Sequence, residues 1–298
     1  MPRVSVVTCT YNRAHLIGET IASVLAQSLS DFEYIIIDDG SDDDTSAVIN
    51  SFQDARIHYF FHERTGGRLS VLRNFAQTKC SGEFIAYVDS DDLWEKDKLE
   101  TQVRALDADR TIGFSFTDID LFNKSGIIQK SLYKKTGQFT GNVFYQMLWN
   151  QLIICHTTLM IRNSCLDKTG PMDETLHSGD HDRVFFLSRY FNAFVIYKPL
   201  VHVRKHGQNS TSNPDLSFRL LEEHHQSLVK LLHQNLISTK EYKKAYIITS
   251  YSFGCQQLSA GNYLGARAYF NKCLSYNPFY WKAWARHAQL LSKNKPRG

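Results

Sequence analysis

The segment that most constrains the fold is an apolar run that ends in a cluster of carboxylates. The residues Phe84–Val88 are all apolar, and they are followed at once by the tetrad Asp89–Asp92, which reads Asp-Ser-Asp-Asp. Five successive apolar residues are typical of a strand buried on both faces of a parallel sheet. Three carboxylates at the end of such a strand cannot belong to the core, because burying unpaired charge is prohibitively costly. The segment therefore predicts a buried strand that delivers acidic side chains to a sheet edge.

Apolar runs alternate with amphipathic segments through the first third of the chain, which predicts an α/β fold with a mostly parallel, doubly wound sheet. The predicted strands are Val4–Cys9, Glu33–Ile37, Ile57–Phe61, Phe84–Val88 and Gly113–Phe122. The predicted helices between them are Ala14–Gln27, Thr45–Phe52, Leu69–Thr78 and Lys96–Leu106. Further on we expect a turn at Gly126, a loop around Gly137–Gly141, a strand-like Ile153–Ile161, a helix at Asp182–Tyr190 and a short strand at Phe194–Tyr197.

The bulk composition is that of a folded globular protein. Hydrophobic residues make up 43% of the 298 residues and charged residues 21%, so disorder of the whole chain is not expected. A formal charge of +4 does not argue for a nucleic-acid partner. No signal-peptide pattern and no apolar stretch of membrane-spanning length is present, and the six cysteines are scattered without paired spacing. We therefore expect a cytoplasmic protein with reduced thiols.

The chain from Phe218 onward is almost wholly helical in its pattern, with breaks near Gly261 and Pro278. Gly254, Ala266, Phe270 and Pro278 are spaced like the signature positions of one tetratricopeptide unit. We predict a main domain at 1–212 and a helical appendage at 213–298, with the tetratricopeptide-like unit around 250–280. Since about three such units are usually needed for stability, a single unit packed on the main domain is favoured over an array.

Polar clusters follow three of the predicted strands. They are Thr8–Arg13 after the first, Asp38–Ser41 after the second and the tetrad after the fourth. The carboxyl ends of parallel strands share one edge, where open α/β sheets bind ligands. Carboxylates there suit Mg²⁺ or Mn²⁺, which would in turn hold the diphosphate of a nucleotide. The alternative is a set of Asp-rich turns that cap the following helices.

Three motifs in this order resemble the inverting nucleotide-sugar glycosyltransferases of family 2, which have the GT-A fold. They are VSVVTCTYNR from Val4, IIIDDGSDD from Ile35 and YVDSDD from Tyr87. The resemblance covers roughly residues 1–212 and is most specific through residue 94. It implies a metal-dependent enzyme that moves a sugar from a nucleotide diphosphate to a hydroxyl acceptor, and family precedent favours UDP as the nucleotide.

The resemblance also implies roles for residues of the donor site. The loop after the first strand would contact the nucleotide, and the first Asp after the second strand, Asp38, would bind the uracil N–H. Arg68 and the pair Arg73-Asn74 would reach the ribose or diphosphate, although Arg73 suits a helix surface nearly as well. Asp91 would ligate the metal. Asp92 would belong to the same site or instead cap the next helix. The implied donor-site residues are Thr8, Thr10, Tyr11, Arg13, Asp38, Asp39, Arg68, Asn74, Asp89 and Ser90, with Asp89, Asp91 and His206 at the metal.

A catalytic base is expected to deprotonate the acceptor hydroxyl. By resemblance it is Asp180, just before a helix, with Asp182 as the alternative and a helix N-cap as the purely structural interpretation. The sequence departs from the family here, because Gly179 replaces the usual Glu and His181 the usual aromatic residue. His206 belongs to the segment Val203–Ser210, which resembles the family's basic loop over the diphosphate, whereas His202 is expected to be structural.

The family implies a glycan or lipid-linked acceptor, but no motif in loops such as Lys124–Asn150 identifies the sugar or the acceptor. The weakened acidic pair at Gly179-Asp180 leaves a second function open, a catalytically weakened domain that acts as a binding scaffold through its tail. Basic and aromatic residues of the tail suit a peripheral contact with the inner face of a membrane, although ordinary helix packing explains them as well. They are Lys243, Lys244, Tyr280, Trp281, Lys282 and Trp284. The sequence does not indicate the oligomeric state.

Overall fold

The computed structural model describes residues 1–152, 154–207 and 214–293. Within these residues, ten strands form one sheet. The strands are β1 (Val4–Thr10), β2 (Phe32–Asp38), β3 (Ile57–Phe61), β4 (Phe84–Tyr87), β5 (Leu93–Trp94), β6 (Ile112–Asn123), β7 (Gly126–Gln129), β8 (Gln138–Gly141), β9 (Met160–Arg162) and β10 (Asn192–Arg204).

Helices connect these strands and make up most of the C-terminal part. They are α1 (Ile17–Leu25), α2 (Thr45–Ser51), α3 (Leu69–Gln77), α4 (Lys98–Ala108), α5 (Phe144–Leu148), α6 (Leu166–Thr169), α7 (Asp180–Tyr190), α8 (Pro214–His233), α9 (Thr239–Ser259), α10 (Tyr263–Tyr276) and α11 (Trp281–Lys293). None of the helices in the described ranges is long and apolar enough to cross a membrane.

The strand order along the sheet is β3-β2-β1-β4-β9-β6-β10-β5, with β7 beside β6 and β8 beside β10. The pairs β2–β3, β1–β2, β1–β4 and β6–β10 are parallel, whereas β9 runs antiparallel to both β4 and β6. The strand pairs β5–β10, β8–β10 and β6–β7 are antiparallel as well, so the sheet is mixed. The predicted α/β fold with a central sheet and C-terminal helices is confirmed. The carboxyl ends of β1, β2 and β4 lie at one edge, where Thr10 pairs with Asp38.

Alternation of side chains along β1 and β2 decides which residues reach each face of the sheet. Val4, Val6, Tyr34 and Ile36 belong to one apolar cluster with residues of α1 and α4. The next residues along each strand face the other way, because successive side chains of a strand point to opposite faces. Helix α3 contacts β1 and β2, and it supplies Arg73, whose charge acts on Cys9.

Four segments of the middle region differ from the sequence-based expectation. The expected loop at Gly137–Gly141 contains strand β8, which pairs with β10, and the turn at Gly126 begins strand β7. Ile153–Ile161 is not one strand, because a 3-10 helix at His156–Thr158 precedes β9. The expected short strand at Phe194–Tyr197 is thirteen residues long. Its length follows from partners distant in sequence, β5, β6 and β8, which no local pattern could show.

The chain divides into two compact units, Met1–Val143 with Ile154–Glu223, and Phe144–Ile153 with His224–Gly298. The predicted domain boundary between residues 212 and 213 lies outside the described residues and stays a prediction. In the second unit, Gly254 of α9 lies so close to α10 that an added Cβ would be 2.5 Å from Phe270 Cε1. Ala266 and Phe270 are fully buried there, which is the close helix crossing that the tetratricopeptide-like spacing predicts.

Candidate active site

Asp39 anchors the loop that follows β3. Its carboxylate accepts hydrogen bonds from the Arg64 side chain, from the Thr65 N–H at 2.6 Å and from the Gly67 N–H at 3.0 Å. Gly67 has a φ of +82°, a conformation that favours glycine. The Arg64 guanidinium carbon lies 3.5 Å from the centroid of the Tyr11 ring. Asp39 thus joins Tyr11, Arg64 and the loop into one polar wall at the sheet edge.

Asp38 is committed to internal hydrogen bonds. Its Oδ1 accepts from the Ser41 N–H at 2.9 Å and from Ser41 Oγ at 2.6 Å, and its Oδ2 accepts from the Tyr59 hydroxyl at 2.9 Å. Because Asp38 and Asp39 are consecutive in the chain, their side chains leave the strand end in opposite directions. The geometry therefore argues against Asp38 as the uracil contact and places Asp39 on the side of the sheet that carries Cys9 and Arg73.

Thr8 lies in the interior of β1 rather than at a ligand site. It is fully buried, its hydroxyl donates to the Val88 carbonyl at 3.0 Å, and it is 2.9 Å from the Tyr34 hydroxyl. Asn74 is also structural, because its amide bonds the N–H and carbonyl of Met172 and the carboxylate of Glu174. These contacts correct the expectation that Thr8 and Asn74 bind the nucleotide.

The loop after β1 is tied to the segment after β2. The Asn12 N–H donates to Ser41 Oγ at 2.9 Å, and the Arg13 N–H donates to Thr45 Oγ1 at 2.8 Å. Thr10 is buried, and its hydroxyl has no hydrogen-bond partner among the residues that the structure describes. Arg68, just before α3, is exposed, and its Nε donates to the nearby Thr65 carbonyl at 3.3 Å.

The tetrad is joined to the end of β10 and the residues after it. His206 Nε2 lies 2.9 Å from Asp91 Oδ2, and Arg204 Nε donates to the Asp91 carbonyl at 2.9 Å. Asp92 is buried and accepts from the Arg204 N–H at 3.0 Å. It does not cap α4, where Asp97 stands at the N-cap position. Ser90 is buried in the turn, and Gln208–Ser210 of the predicted basic loop lie outside the described residues.

Asp89 is the most exposed carboxylate of the tetrad, with 47% of its side-chain surface open. Crowding by the surrounding protein atoms nevertheless raises its pKa, Arg73 acts in the opposite direction, and the carboxylates of Asp91 and Asp180 add to the rise. Its Oδ1 lies 3.9 Å from Arg73 Nη2. An accumulation of carboxylates of this kind is an environment that favours a bound cation.

Arg73, His156 and Asp180 form a second group, here named the Asp180 cluster. Arg73 is buried on α3, where its guanidinium bonds the Asp180 carboxylate and donates to the Ser178 carbonyl at 3.3 Å. His156 Nε2 lies 3.6 Å from Asp180 Oδ1. The alternative interpretation of Arg73 as a helix-surface residue is therefore wrong, and His156 is a site residue that the sequence pattern did not reveal.

His156 is neutral in this environment. Its ring is buried and packs against the Tyr87 ring, with the centroids 4.3 Å apart and the ring planes tilted by 55°. Burial lowers the pKa of His156 to about 3, and the charge of Arg73 acts in the same direction. Neither ring nitrogen has a hydrogen-bond partner within the described part of the chain. His156 thus presents an uncharged ring with hydrogen-bonding capacity beside Asp180.

Asp180 is the first residue of α7, and the segment just before it is held by Glu223 of α8. Glu223 accepts from the N–H groups of His177 at 2.5 Å and Ser178 at 3.0 Å, which fixes the approach to the helix. Burial opposes ionisation of Asp180, but the charge of Arg73 outweighs it, with help from a hydrogen bond of Ser178, and lowers the pKa of its carboxyl. A third of the Asp180 side chain is exposed, whereas Asp182 is buried. Asp180 is therefore the better placed of the two to meet a ligand.

The predicted metal ligands come together only in part. Asp91 and His206 are in contact, and Asp89 is their neighbour in the tetrad. Among the described residues, no group of three or more His, Cys, Asp or Glu side chains is arranged to hold a metal ion. The cysteines are all free thiols, as expected. Any cation at this edge would therefore draw part of its coordination from a ligand or from water.

Comparison with known proteins identifies the family. Residues 5–170 match the model of Glycosyl transferase family 2. The chain is 33% identical over 198 residues to TuaG of Bacillus subtilis, a glycosyltransferase named for teichuronic acid biosynthesis, covering 66% of this chain and 75% of TuaG. It is 35% identical over 127 residues to WfgD of Escherichia coli, a UDP-Glc:alpha-D-GlcNAc-diphosphoundecaprenol beta-1,3-glucosyltransferase, covering 43% of this chain and 49% of WfgD. It spans only 24% of an uncharacterized glycosyltransferase of Rickettsia felis.

Two solved structures share the fold. S. aureus TarS 1-349 in complex with UDP-GlcNAc superposes with a TM-score of 0.67 at 19% identity, covering 92% of this chain and 80% of that one. The mannosyltransferase PcManGT of Pyrobaculum calidifontis, in complex with GDP-Man and Mn²⁺, superposes with a TM-score of 0.62 at 18% identity, covering 99% and 81%. The family match extends over more than half of the chain, and it includes all three motifs at the sheet edge. This chain is therefore a glycosyltransferase of family 2.

Proposed function

We propose that this glycosyltransferase takes a sugar from a UDP-sugar, with a divalent cation at the donor diphosphate, and transfers it with inversion to a hydroxyl of a glycan or lipid-linked acceptor. The observation that carries the proposal is the position of Arg73. Its guanidinium bonds Asp180 and lies 3.9 Å from Asp89. One buried cation thereby links the carboxylates at the strand ends to the candidate base, although 91 residues separate the two aspartates in sequence.

The donor nucleotide is assigned to the wall formed by Tyr11, Asp39 and Arg64. A carboxylate such as that of Asp39 can accept from the N–H of a uracil ring, and an aromatic side chain or a guanidinium plane can stack on a base. The names of two similar proteins support UDP, because WfgD uses UDP-Glc and TarS was crystallised with UDP-GlcNAc. PcManGT binds GDP-Man, so the choice of nucleotide is part of the proposal.

The residues at the tetrad fit a divalent cation. Carboxylate and imidazole are donors that Mn²⁺ accepts, and Mg²⁺ is commonly held by one or two carboxylates plus substrate phosphates. Asp91 and His206, 2.9 Å apart, would hold the ion, with Asp89 beside them. When bound, it would neutralise the charge that develops on the leaving diphosphate. Mn²⁺ in the PcManGT complex supports this assignment.

Asp180 is proposed as the general base. It would accept the proton of the acceptor hydroxyl while that oxygen forms a bond to the anomeric carbon and the bond from that carbon to the diphosphate oxygen breaks on the opposite side. Arg73 would orient the carboxylate, and the neutral His156 ring beside it adds no positive charge to oppose proton transfer. The lowered pKa of Asp180 keeps it ionised and ready to accept a proton.

The names of two relatives support the proposed acceptor. WfgD is named for a diphosphoundecaprenol-linked acceptor, and TuaG is named for teichuronic acid biosynthesis. We therefore propose a lipid-linked or surface-glycan acceptor that is modified on the cytoplasmic side of a membrane. The alternative function, a binding scaffold, is supported by the surroundings of Asp180. Its carboxylate is engaged in an ion pair with Arg73, and the residue before it is Gly179 where the family usually has Glu.

The decisive assay is nucleotide diphosphate release from a panel of nucleotide sugars in the presence of Mn²⁺. We expect release from a UDP-sugar, strongly reduced in Asp91→Ala and unchanged in Asp97→Ala, whose exposed carboxylate pairs with Lys198. Binding of a donor without any release in the wild-type protein would favour the scaffold. Release of the same size in Asp91→Ala would refute the assigned donor site.

A further inference from the structure

Acidic residues are absent from the last part of the sequence. Residues 242–298 contain nine Lys and Arg and no Asp or Glu. Residues 1–241 contain the other 25 Lys and Arg and all 30 Asp and Glu. The modest net charge of the whole chain therefore conceals a strongly basic C-terminal segment and an acidic remainder. Such an asymmetry attracts the basic segment to anionic surfaces.

The same segment exposes large apolar side chains. Phe279 is 89% exposed, Leu264 82%, Trp281 70% and Trp284 57%. Leu264 and Trp284 line one groove of about 630 Å³ together with Arg267. Trp281 and Lys282 lie on α11 within one turn of Trp284, and Phe279 lies two residues before that helix begins. These six residues, Leu264, Arg267, Phe279, Trp281, Lys282 and Trp284, are named the aromatic-basic surface.

Core packing does not account for these side chains. The core of the C-terminal unit is formed by buried residues on the other faces of α10 and α11, among them Phe270, Cys273 and Ala283. On α11, Trp281 and Trp284 lie about 60° apart around the helix axis, and Ala283 and Leu290 are buried on the opposite side. The helix therefore presents one face to its own core and an aromatic face outward.

We propose that the aromatic-basic surface docks on an anionic lipid bilayer, with Phe279, Trp281 and Leu264 entering the interface and Arg267 and Lys282 contacting lipid headgroups. Exposed Trp, Phe and Leu side chains near Lys and Arg are typical of peripheral segments that lie in the interface plane. Lys282 lies about 100° from Trp281 around α11, and its long side chain can bring the ammonium group to the headgroups. A nucleic-acid partner would match the positive charge but offers little apolar surface to four bulky apolar side chains, whereas an anionic bilayer matches both the charge and the apolar surface. An acidic protein partner is an outcome that the test below separates from a bilayer. This inference goes beyond the proposed function, because it concerns binding and does not require catalysis.

The test is co-sedimentation of the full chain with phosphatidylglycerol–phosphatidylcholine vesicles, with pure phosphatidylcholine vesicles as the reference. We expect binding to the anionic vesicles alone and about tenfold weaker binding for Phe279→Ser/Trp281→Ser. The matched control is Phe61→Ser/Ile127→Ser, which removes two exposed apolar side chains from the other unit and should bind like wild type. A second pair compares Arg267→Ser/Lys282→Ser, expected to lose about tenfold, with Lys124→Ser/Lys130→Ser, expected to lose little.

Tryptophan emission supplies an independent readout, because the chain has four Trp residues and Trp94 is buried. A blue shift on vesicle addition that disappears in Trp281→Ser supports insertion of that side chain. The proposal is overturned if wild type does not bind anionic vesicles, or if both apolar double variants bind equally. It is also overturned if single-stranded DNA or polyglutamate binds more tightly than vesicles in a manner that requires Phe279 and Trp281.

Discussion

The strand-end carboxylates and the Asp180 cluster are built in different ways. Asp39, Asp89 and Asp91 reach the site because β2 and β4 end at the same edge of a parallel sheet, so the backbone alone brings them there. Asp180 stands at a helix start and is held by Arg73 from α3 and by the contacts of Glu223 from α8. The first region is specified by strand topology and the second by side-chain contacts between distant segments. The proposed function assigns donor binding to the first and proton transfer to the second.

The largest expected effect separates these two tasks. Asp180→Asn should reduce transfer about 10³-fold, the range of a lost general base, because an amide cannot accept the acceptor's proton. Donor binding should stay near the wild-type level, since the strand-end carboxylates are unaltered. The control is Asp182→Asn, which should keep most of its activity because Asp182 is buried. A fully active Asp180→Asn enzyme would move the base elsewhere, as would an inactive but folded Asp182→Asn.

Arg73→Met should lower the free energy of unfolding by about 3 kcal/mol, because it leaves the Asp180 carboxylate without its buried partner. We expect the lower end of the range for such pairs, since a third of the Asp180 side chain is exposed. Chemical denaturation followed by circular dichroism would measure the loss. Arg68→Met, on an exposed residue just before the same helix, should change stability by no more than about 0.5 kcal/mol. If the two variants were equally stable, Arg73 would not stabilise the Asp180 carboxylate, contrary to this account.

His156 should make the Asp180 cluster sensitive to acid. Its pKa is about 3 in the folded protein and 6.5 for the ordinary side chain, so between these values only the unfolded chain takes up the proton. Stability contributed by the neutral ring is therefore complete above about pH 6.5 and is lost as the pH falls. Between neutral pH and about pH 5 the loss is about 2 kcal/mol. His156→Phe should remove this part of the pH dependence in denaturation experiments, whereas exposed His233→Phe should retain it.

The smallest expected effects come from a comparison of Asp38 with Asp39, and this comparison tests which of the two contacts the nucleotide. Asp39→Asn should weaken UDP binding about tenfold, because Asp39 holds the wall with Arg64 and the loop after β3. Asp38→Asn should leave binding nearly unchanged and lower stability, since Asp38 bonds Ser41 and Tyr59 inside the fold. Isothermal titration and thermal denaturation measure the two quantities. The reverse pattern would restore Asp38 as the nucleotide contact.

The contrast between the regions also explains what the sequence could predict. Apolar runs that end in polar clusters predicted β1, β2 and β4 and the edge they share, because the signal is local. The same local signal could not show which of Asp38 and Asp39 faces the ligand. The two residues are consecutive, so their side chains point to opposite sides of the sheet. The family resemblance implied that Thr8 and Asn74 bind the nucleotide, but their side chains bond Tyr34 and Met172 within the fold.

The partners of Asp180 carried no local signal at all. Arg73 and His156 lie 107 and 24 residues away from it in sequence, and His156 sits in an apolar segment without a motif. The full length of strand β10 was not predicted for a similar reason. Its hydrogen bonds go to β5, β6 and β8, and its own pattern is broken at Pro199. Contacts between distant segments decide such features, and only the folded chain displays them.

The measurement that tests the central claim most directly is titration of UDP, with Mn²⁺ present, into Asp91→Ala and Asp180→Asn. The division of tasks between the two regions predicts that Asp91→Ala loses most of its UDP affinity, while Asp180→Asn binds as tightly as the wild-type protein and yet fails to transfer sugar. Equal affinities in all three proteins, or a loss in Asp180→Asn as large as that in Asp91→Ala, would contradict it.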